Sequence, residues 1–238
     1  MKNIYLISFI AVALIGCNTP DPDTKIGTET PSSKSNTPQS APDEFRAYSE
    51  QAQSKFIKCG VDEDEFYRLI GLSYRDFDQD FAGGWRAIDY KDGCKTAAQN
   101  MLKSYLTYHA YKHQSERSML MWHTGQVLAG DNKYDEAVKY FRQTYKSGDH
   151  STEWNLYVDA TIAFLRKDKS ALITARDTLA LQTVSEEMKA SRREFLRQNS
   201  NVTMPDGFVD EPQNLSVVNK LIKCYDEPYS VAYGKCAL

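Results

Sequence analysis

Residues 121–145 read "MWHTGQVLAGDNKYDEAVKYFRQTY" and contain the clearest periodic pattern in the chain. In its second half, apolar side chains recur at spacings of three and four, at Tyr134, Ala137, Val138, Phe141 and Tyr145. This spacing places them on one face of an α-helix. The same spacing recurs in two further groups: Ala98, Met101, Leu102, Tyr105 and His109, then Tyr157, Ala160, Thr161 and Phe164. We interpret all these side chains as core, and they predict an all-α fold.

The ends of other helices are marked by capping residues. Asp62, with Glu65 three positions later, forms a capping box that opens a helix with Phe66, Leu69 and Ile70 on its apolar face. Asn214 is predicted to cap the last helix, whose apolar residues are Leu215, Val218, Leu221 and Ile222. Few segments alternate as strands do, and prolines are sparse after residue 42. We therefore expect one helical domain over residues 43–238.

The pattern Gly125-x2-Leu128, followed by Tyr134-x2-Ala137-x3-Phe141, resembles one tetratricopeptide repeat. Such a repeat is a helix pair in which a small residue on the first helix lets the second pack closely. Looser copies lie about 36 residues to either side, so the resemblance spans residues 83–182. It implies helical hairpins stacked in one domain, with a concave face that binds peptides or proteins. An irregular helical bundle is the alternative.

Three segments are also similar to a family of uncharacterised exported proteobacterial proteins with tetratricopeptide-like cores. They read "FDQDFAGGWRAI" (77–88), "WNLYVDATIAFLRKDKSALITARDTLA" (154–180) and "NLSVVNKLIKCYDEPYSVAYGKC" (214–236). The resemblance supports the helical fold and implies no activity.

The amino terminus has the features of a bacterial lipoprotein signal. An apolar run over residues 4–15 follows Lys2 and is too short to span a bilayer as a helix. The sequence Leu14-Ile15-Gly16-Cys17 resembles the lipobox, after which the cysteine is acylated and becomes the new amino terminus. Residues 1–16 are thus predicted to be a signal peptide and Cys17 the membrane anchor. By the same resemblance, Asn18 favours the outer membrane, facing the periplasm.

The predicted anchor is followed by a tether. Residues 18–42 hold five of the eight prolines among Ser, Thr, Asn and Asp, with Ile26 the only large aliphatic side chain. Such a segment cannot bury enough surface to offset the entropy of ordering it, so we expect residues 17–42 to form a lipidated, disordered linker. The formal net charge of the chain is −3. This mildly acidic balance argues against nucleic acid as a partner.

Beyond Cys17 the chain has four cysteines, at Cys59, Cys94, Cys224 and Cys236. An even number in an exported protein favours disulfides, and four cysteines allow three connectivities. Proximity along the chain favours Cys59–Cys94 and Cys224–Cys236. No Cys-x2-Cys pair suggests a zinc or redox site.

The histidines do not predict a metal or catalytic site. His109 and His113 stand four residues apart, but no carboxylate lies between them in a His-Glu-x-x-His pattern, and His109 falls on an apolar stripe. His123 and His150 have no nucleophile motif nearby, since the chain contains no Gly-x-Ser-x-Gly elbow. No glycine-rich phosphate loop is present. We predict neither a catalytic residue nor a cofactor.

One acidic stretch resembles part of a calcium loop. Asp76, Asp78 and Asp80 occupy its first, third and fifth positions, but Phe81 stands where the loop needs glycine and Ala87 where it needs glutamate. We interpret the stretch instead as a solvated acidic edge that caps a helix.

If the repeat resemblance holds, the partner-binding face is lined by the first helices of the hairpins. The residues predicted to be exposed there are Trp122, His123, Gln126, Trp154 and Asn155. Aromatic side chains are expected anchors because they bury large area at a small entropic cost. Trp122 can alternatively belong to the core.

Three functions are compatible with the sequence. The first is a lipid-anchored, non-catalytic module that binds another protein of the cell envelope as a scaffold. The second is an immunity lipoprotein that neutralises a toxin delivered into the periplasm. The third is an enzyme of envelope polymers, which would need paired carboxylates or a nucleophile that no motif provides. The scaffold is the favoured interpretation.

Overall fold

The computed structural model describes residues 44–109, 114–148, 151–200, 204 and 207–237. Within these ranges the chain is helical and contains no strand, so the predicted all-α class is confirmed. The predicted signal peptide (1–16) and the lipidated linker (17–42) with Cys17 lie outside the described residues, as do His113 and His150.

The helices follow one another with short connections. In chain order they are α1 (Glu44–Ala47), α2 (Glu50–Lys58), α3 (Glu63–Ile70), α4 (Arg86–Asp89), α5 (Lys95–Tyr108), α6 (Gln114–Gly130), α7 (Tyr134–Phe141), α8 (Thr152–Leu165), α9 (Lys169–Ala180), α10 (Glu186–Gln198), α11 (Leu215–Lys223) and α12 (Tyr229–Gly234). A π-helical turn covers Arg75–Gln79, and a 3₁₀ turn covers Arg142–Thr144.

The predicted helix ends are right at Asp62, right in position but without the capping bond at Asn214, and wrong at Tyr145. Asp62 caps α3, and its Oδ1 accepts a hydrogen bond from Glu65 N at 2.9 Å. Asn214 precedes α11 in a left-handed conformation and makes no side-chain capping bond, and α11 is followed by α12. Tyr145 lies beyond the end of α7, because the chain tightens into the 3₁₀ turn at Arg142, and its side chain is exposed.

Two helix pairs share one turn geometry. The turn between α6 and α7 places Asn132 at φ 59°, and Lys133 N bonds to Leu128 O. The turn between α8 and α9 places Lys167 at φ 56°, and Asp168 N bonds to Ala163 O. Each turn thus ends its first helix with a left-handed residue and a backbone bond that reaches back over the last turn. The repeated spacing in the sequence therefore corresponds to two matching helical hairpins.

Gly125 lies at the contact within the first hairpin. A Cβ atom at this position would be 2.6 Å from the Phe141 ring, which is closer than packed atoms approach. Ala137, on the facing helix, is fully buried. Glycine at 125 therefore allows α7 to pack directly on α6.

The buried side chains form two clusters. The first, named here the amino-terminal core, gathers side chains from α1–α6 around Phe56, Phe66 and Phe77. The second, the carboxy-terminal core, gathers side chains from α6–α9, α11 and α12 around Phe141, Phe164 and Leu172. Helix α6 contributes residues to both clusters, for example Leu120 to the first and Leu128 to the second.

Each core contains one disulfide. Cys59 is bonded to Cys94 and joins the end of α2 to the start of α5. Cys224 is bonded to Cys236 and encloses α12. These are the two pairs that proximity along the chain favours. None of the described helices combines the length and the hydropathy that a membrane span requires.

Candidate functional site

The face predicted to bind a partner is buried. The Trp122 side chain is 2% exposed and lies among the rings of Phe141, Trp154 and Tyr157, with centroids 4.5, 4.9 and 4.7 Å away. Trp154 is also buried, and its indole Nε1 donates to Thr144 O at 2.7 Å. The predicted exposure of these aromatic residues is therefore wrong, because they fill the junction between the two hairpins.

The polar side chains of that face also form hydrogen bonds within the protein. Gln126 is buried and its Nε2 donates to the Tyr233 hydroxyl at 2.9 Å. Asn155 is partly exposed, and its side-chain amide exchanges two hydrogen bonds with the backbone of Lys146, each 2.9 Å long. His123 is 2% exposed and contacts an acid of the amino-terminal core.

That acid is Asp78, at the centre of a buried polar group named here the Asp78 cluster, which contains Asp78, Trp85, Arg86 and His123. The π-helical turn directs Phe77 and Asp78 inward, and both are fully buried. Gly84 then brings the chain back against the Phe77 carbonyl with φ +51°, where a Cβ atom would collide with the backbone. Trp85 and Arg86 therefore follow directly beside Asp78.

The Asp78 carboxylate accepts hydrogen bonds on both oxygens. Trp85 Nε1 and His123 Nδ1 contact Oδ1 at 2.9 and 2.8 Å, and Gln79 Nε2 contacts Oδ2 at 2.6 Å. Arg86 Nη1 donates to the Asp78 backbone carbonyl. Because an ionised carboxylate can only accept, the His123 proton lies on Nδ1. The prediction of a solvated acidic edge is therefore wrong at Asp78.

The cluster stabilises the charged form of the acid. Burial alone would raise the pKa of Asp78, but His123, the Arg86 charge and the Trp85 hydrogen bond together lower it below its ordinary value. A buried carboxylate with three side-chain hydrogen-bond donors is well satisfied. Asp78 is thus a fixed negative charge inside the amino-terminal core.

An open groove lies on one side of this cluster. This surface, named here the Tyr74 groove, encloses about 390 Å³ between the end of α3, α5 and the start of α6. Its walls include Tyr74, Tyr105 and Leu120, and its polar groups include Glu116 and Arg117. His109 also borders it and is held by a contact of 2.7 Å between its Nε2 and Ile70 O. The groove has room for one or two large side chains of a partner.

Nearby carboxylates act on the two tyrosines that border the groove. Burial, followed by the charges of Glu116, Asp78 and Asp76, raises the pKa of Tyr105 to about 12. Burial and the charge of Asp78, with a smaller effect of Glu116, raise the pKa of Tyr74 as well. Carboxylate charge therefore acts on both tyrosines, which favours a cation beside Tyr74, and Arg117 borders the same groove.

The described residues contain no group of three or more His, Cys, Asp or Glu side chains arranged to hold a metal ion. His109 contacts a backbone carbonyl instead, and Asp80 Oδ1 accepts a bond from Ala82 N. The Asp78–His123 pair could orient an imidazole as a base does in hydrolases. Within the described ranges, His123 has no hydrogen bond to a hydroxyl or thiol.

A short stretch of the sequence indicates the Asp78 cluster, although the hydrophobic periodicity does not. In "FDQDFAGGWR" an acid, two glycines, a tryptophan and an arginine fall within ten residues. Two adjacent glycines indicate a close return of the backbone, which would bring Trp85 and Arg86 toward the acids. His123 could not be assigned from sequence because its contact with Asp78 spans 45 positions.

Comparison with known proteins gives no assignment for this arrangement. No protein-family model matches the chain, and no curated protein and no solved structure shows significant similarity to it.

Proposed function

We propose that the protein is a lipid-anchored, non-catalytic binding module of the bacterial cell envelope, and that its Tyr74 groove binds a basic segment of another envelope protein. The observation that carries the proposal is the groove itself, a space of about 390 Å³ bordered by Tyr74 and Glu116. The anchor at Cys17 and the outer-membrane location rest on the lipobox-like sequence.

A lysine or arginine side chain fits the chemistry of the groove. Its alkyl portion would pack on the partly exposed side chains of Leu72 and Tyr74, and its charge would approach Glu116. Arg117 borders the same groove, but the charges that shift the pKa of Tyr105 are those of Glu116, Asp78 and Asp76. The two adjacent residues therefore provide opposite charges at one place and a matched pair of variants.

The experiment is cross-linking in the intact envelope, followed by capture of the protein and mass mapping of the cross-linked peptide. Glu116→Arg should weaken capture of the partner about tenfold, because it reverses the charge that faces the bound cation. Arg117→Glu, the matched control, should retain or strengthen capture. Circular dichroism and thermal unfolding should show that both variants remain folded.

The mapped contact must be a lysine or arginine of the partner at the Tyr74 groove. Equal capture by both variants, or a contact elsewhere on the surface, would refute the proposed binding site. A toxin as the mapped partner would assign the immunity function, and an assembly protein the scaffold function.

The anchor is tested separately. Cys17→Ser should abolish labelling with a palmitate analogue and release the protein from the membrane fraction, since a lipobox cysteine is the residue that receives the lipid. An unlabelled wild-type protein in the soluble fraction would contradict the anchor without affecting the groove.

A further inference from the structure

The side chain of Tyr74 is held in place at the edge of the Tyr74 groove. Its hydroxyl accepts a hydrogen bond from Gln79 Nε2 at 3.0 Å, and the same nitrogen donates to Asp78 Oδ2 at 2.6 Å. Because Asp78 is fully buried, these bonds attach the hydroxyl end of Tyr74 to the Asp78 cluster. Tyr74 as a whole is partly exposed and borders the groove, so its ring is the part that a ligand can reach.

Glu116 adds a carboxylate to the same groove. It lies in the first turn of α6, is partly exposed and borders the groove together with Tyr74. Among the residues that the structure describes, Glu116 forms no hydrogen bond or ion pair. Its charge nevertheless contributes to the raised pKa of Tyr74, so the carboxylate acts on the ring across the groove. A cationic ligand would give Glu116 a partner.

Arg117 follows Glu116 and borders the groove as well. Successive residues of an α-helix point about 100° apart, so the two side chains leave α6 in different directions. No ion pair joins them in the described part of the chain. Glu116 is therefore not neutralised by direct contact with its neighbour.

A ring and a carboxylate at one groove match a guanidinium better than an ammonium. A guanidinium is planar, stacks on aromatic faces and presents parallel N–H donors to both oxygens of a carboxylate. An ammonium is a compact and strongly hydrated charge that cannot stack. The bond from Gln79 adds to the difference, because a ring that is already held loses little freedom when a ligand packs on it.

We propose that the Tyr74 groove selects arginine over lysine, with the guanidinium stacked on the Tyr74 ring and paired with the Glu116 carboxylate. The proposal rests on the proposed function, since it names the basic residue that the groove binds. The volume of about 390 Å³ admits an arginine side chain, and the alkyl portion of that side chain would lie on Leu72. Tyr74 thus determines the specificity of the groove, whereas Glu116 attracts either cation.

The test compares acetyl-arginine amide with acetyl-lysine amide, whose backbones are identical and uncharged. Binding to the full chain, at constant ionic strength, is followed by the nuclear magnetic resonance signals of the Gly71 and Ser73 backbone amides, which border the groove. The arginine probe should bind about fivefold more tightly than the lysine probe. Equal affinities would overturn the selectivity and leave the proposed function intact. No shift with either probe at about 50 mM would refute both.

Variants of Tyr74 and Glu116 separate the two contributions. Tyr74→Leu removes the ring and should weaken arginine binding about fivefold, to the level of lysine, while Tyr74→Phe keeps the ring and should keep the preference. Glu116→Gln should weaken both probes at least about threefold, because both lose the charge that attracts them. An arginine preference that survives Tyr74→Leu would refute the role of Tyr74, and unchanged binding in Glu116→Gln would refute the proposed function. The comparison of the two probes on the wild-type protein needs no variant, so it decides the selectivity even where a substitution disturbs the fold.

Discussion

The amino-terminal and carboxy-terminal halves each bury an arginine, and they satisfy it differently. Arg192 of α10 is 4% exposed, and its Nη1 donates to the carbonyls of Phe208, Val209 and Glu211 at 3.0, 3.3 and 2.7 Å. Arg86 is 2% exposed, donates to one carbonyl and leaves Nε without a partner. Arg192 holds the loop that contains Phe208, Val209 and Glu211, whereas Arg86 borders a small cavity next to α12.

The two arginines differ in how many of their hydrogen-bond donors the fold uses. Three carbonyl acceptors account for Arg192 as part of the fold, because each would otherwise lose a donor. Arg86 is held beside Asp78 by the return of the chain at Gly84, yet part of its hydrogen-bonding capacity remains unused. The amino-terminal half therefore buries a charge that its hydrogen bonds satisfy less completely.

The largest effect is expected from Asp78→Ala. The variant removes the carboxylate that accepts hydrogen bonds from Trp85 Nε1 and His123 Nδ1 and lies near the Arg86 charge. These groups stay buried, so the free energy of unfolding should fall by about 3–5 kcal/mol. Urea unfolding monitored by circular dichroism provides the measurement. Asp76→Ala, which removes an exposed carboxylate near Ser73, is the control and should change stability by less than about 1 kcal/mol. Similar values for both variants would show that the cluster does not stabilise the amino-terminal core.

The disulfides should stabilise the two halves unequally. In the chain-entropy view, the Cys59–Cys94 link, with a separation of 35, contributes about 4 kcal/mol. The Cys224–Cys236 link, with a separation of 12, contributes about 3 kcal/mol. Paired Cys→Ser variants of each link, compared by urea unfolding, check this order. A larger loss for the second pair would mean that α12 depends on its link beyond loop closure.

Gly125→Ala tests the hairpin of α6 and α7. The added methyl group meets the Phe141 ring, so overpacking should reduce the free energy of unfolding by about 1–3 kcal/mol. Gly130→Ala, on the same helix, places the new Cβ atom 3.9 Å from Lys95 Nζ, an ordinary contact, and should be neutral or stabilising by up to about 1 kcal/mol. Thermal unfolding of the two variants gives the comparison. Equal melting temperatures would show that close approach at Gly125 is not required.

The smallest expected change in the free energy of unfolding comes from the titration of Asp78, in the amino-terminal half, and appears only at acid pH. The pKa of Asp78 in the folded protein lies below its ordinary value of 3.8, so the ionised carboxylate stabilises the folded state above that pH. This contribution is lost as the pH falls through the lower folded-state pKa. Asp78→Asn should therefore show a shallower loss of stability than the wild type between about pH 4 and about pH 2, measured by urea midpoints. Parallel curves would mean that Asp78 does not titrate with folding.

The sequence predicted most reliably where local periodicity determines structure. The stripe over residues 157–164 is buried in α8, and Asp62 caps α3 as expected, although the Glu65 carboxylate bonds to Arg68 instead of completing the box. The helix after Tyr134 ends before Tyr145, because the residues at the end of α7 tighten into a 3₁₀ turn that periodicity alone does not reveal. The two cysteine pairs follow from proximity because each link closes a short loop.

The site was less predictable because it depends on contacts between distant segments. Trp122 was assigned to an exposed face, but that assignment required knowing how the second hairpin covers the first. His123 reaches Asp78 over 45 positions, and Gln126 reaches Tyr233 over 107. His123 and Gln126 lie on α6, a helix that is buried on several sides. Apolar residues therefore surround them along the sequence, and the hydrophobic periodicity does not show which polar side chains are buried.

Helix α6 has a consequence for how the chain loses its structure. Leu120, Met121 and Val127 belong to the amino-terminal core, while Trp122, Leu128 and Ala129 belong to the carboxy-terminal core. Because neighbouring residues of the same helical turns belong to different cores, melting either core exposes the apolar surface of the other. The two halves should therefore unfold in one cooperative transition, and neither should persist as a separate intermediate when denaturant is added.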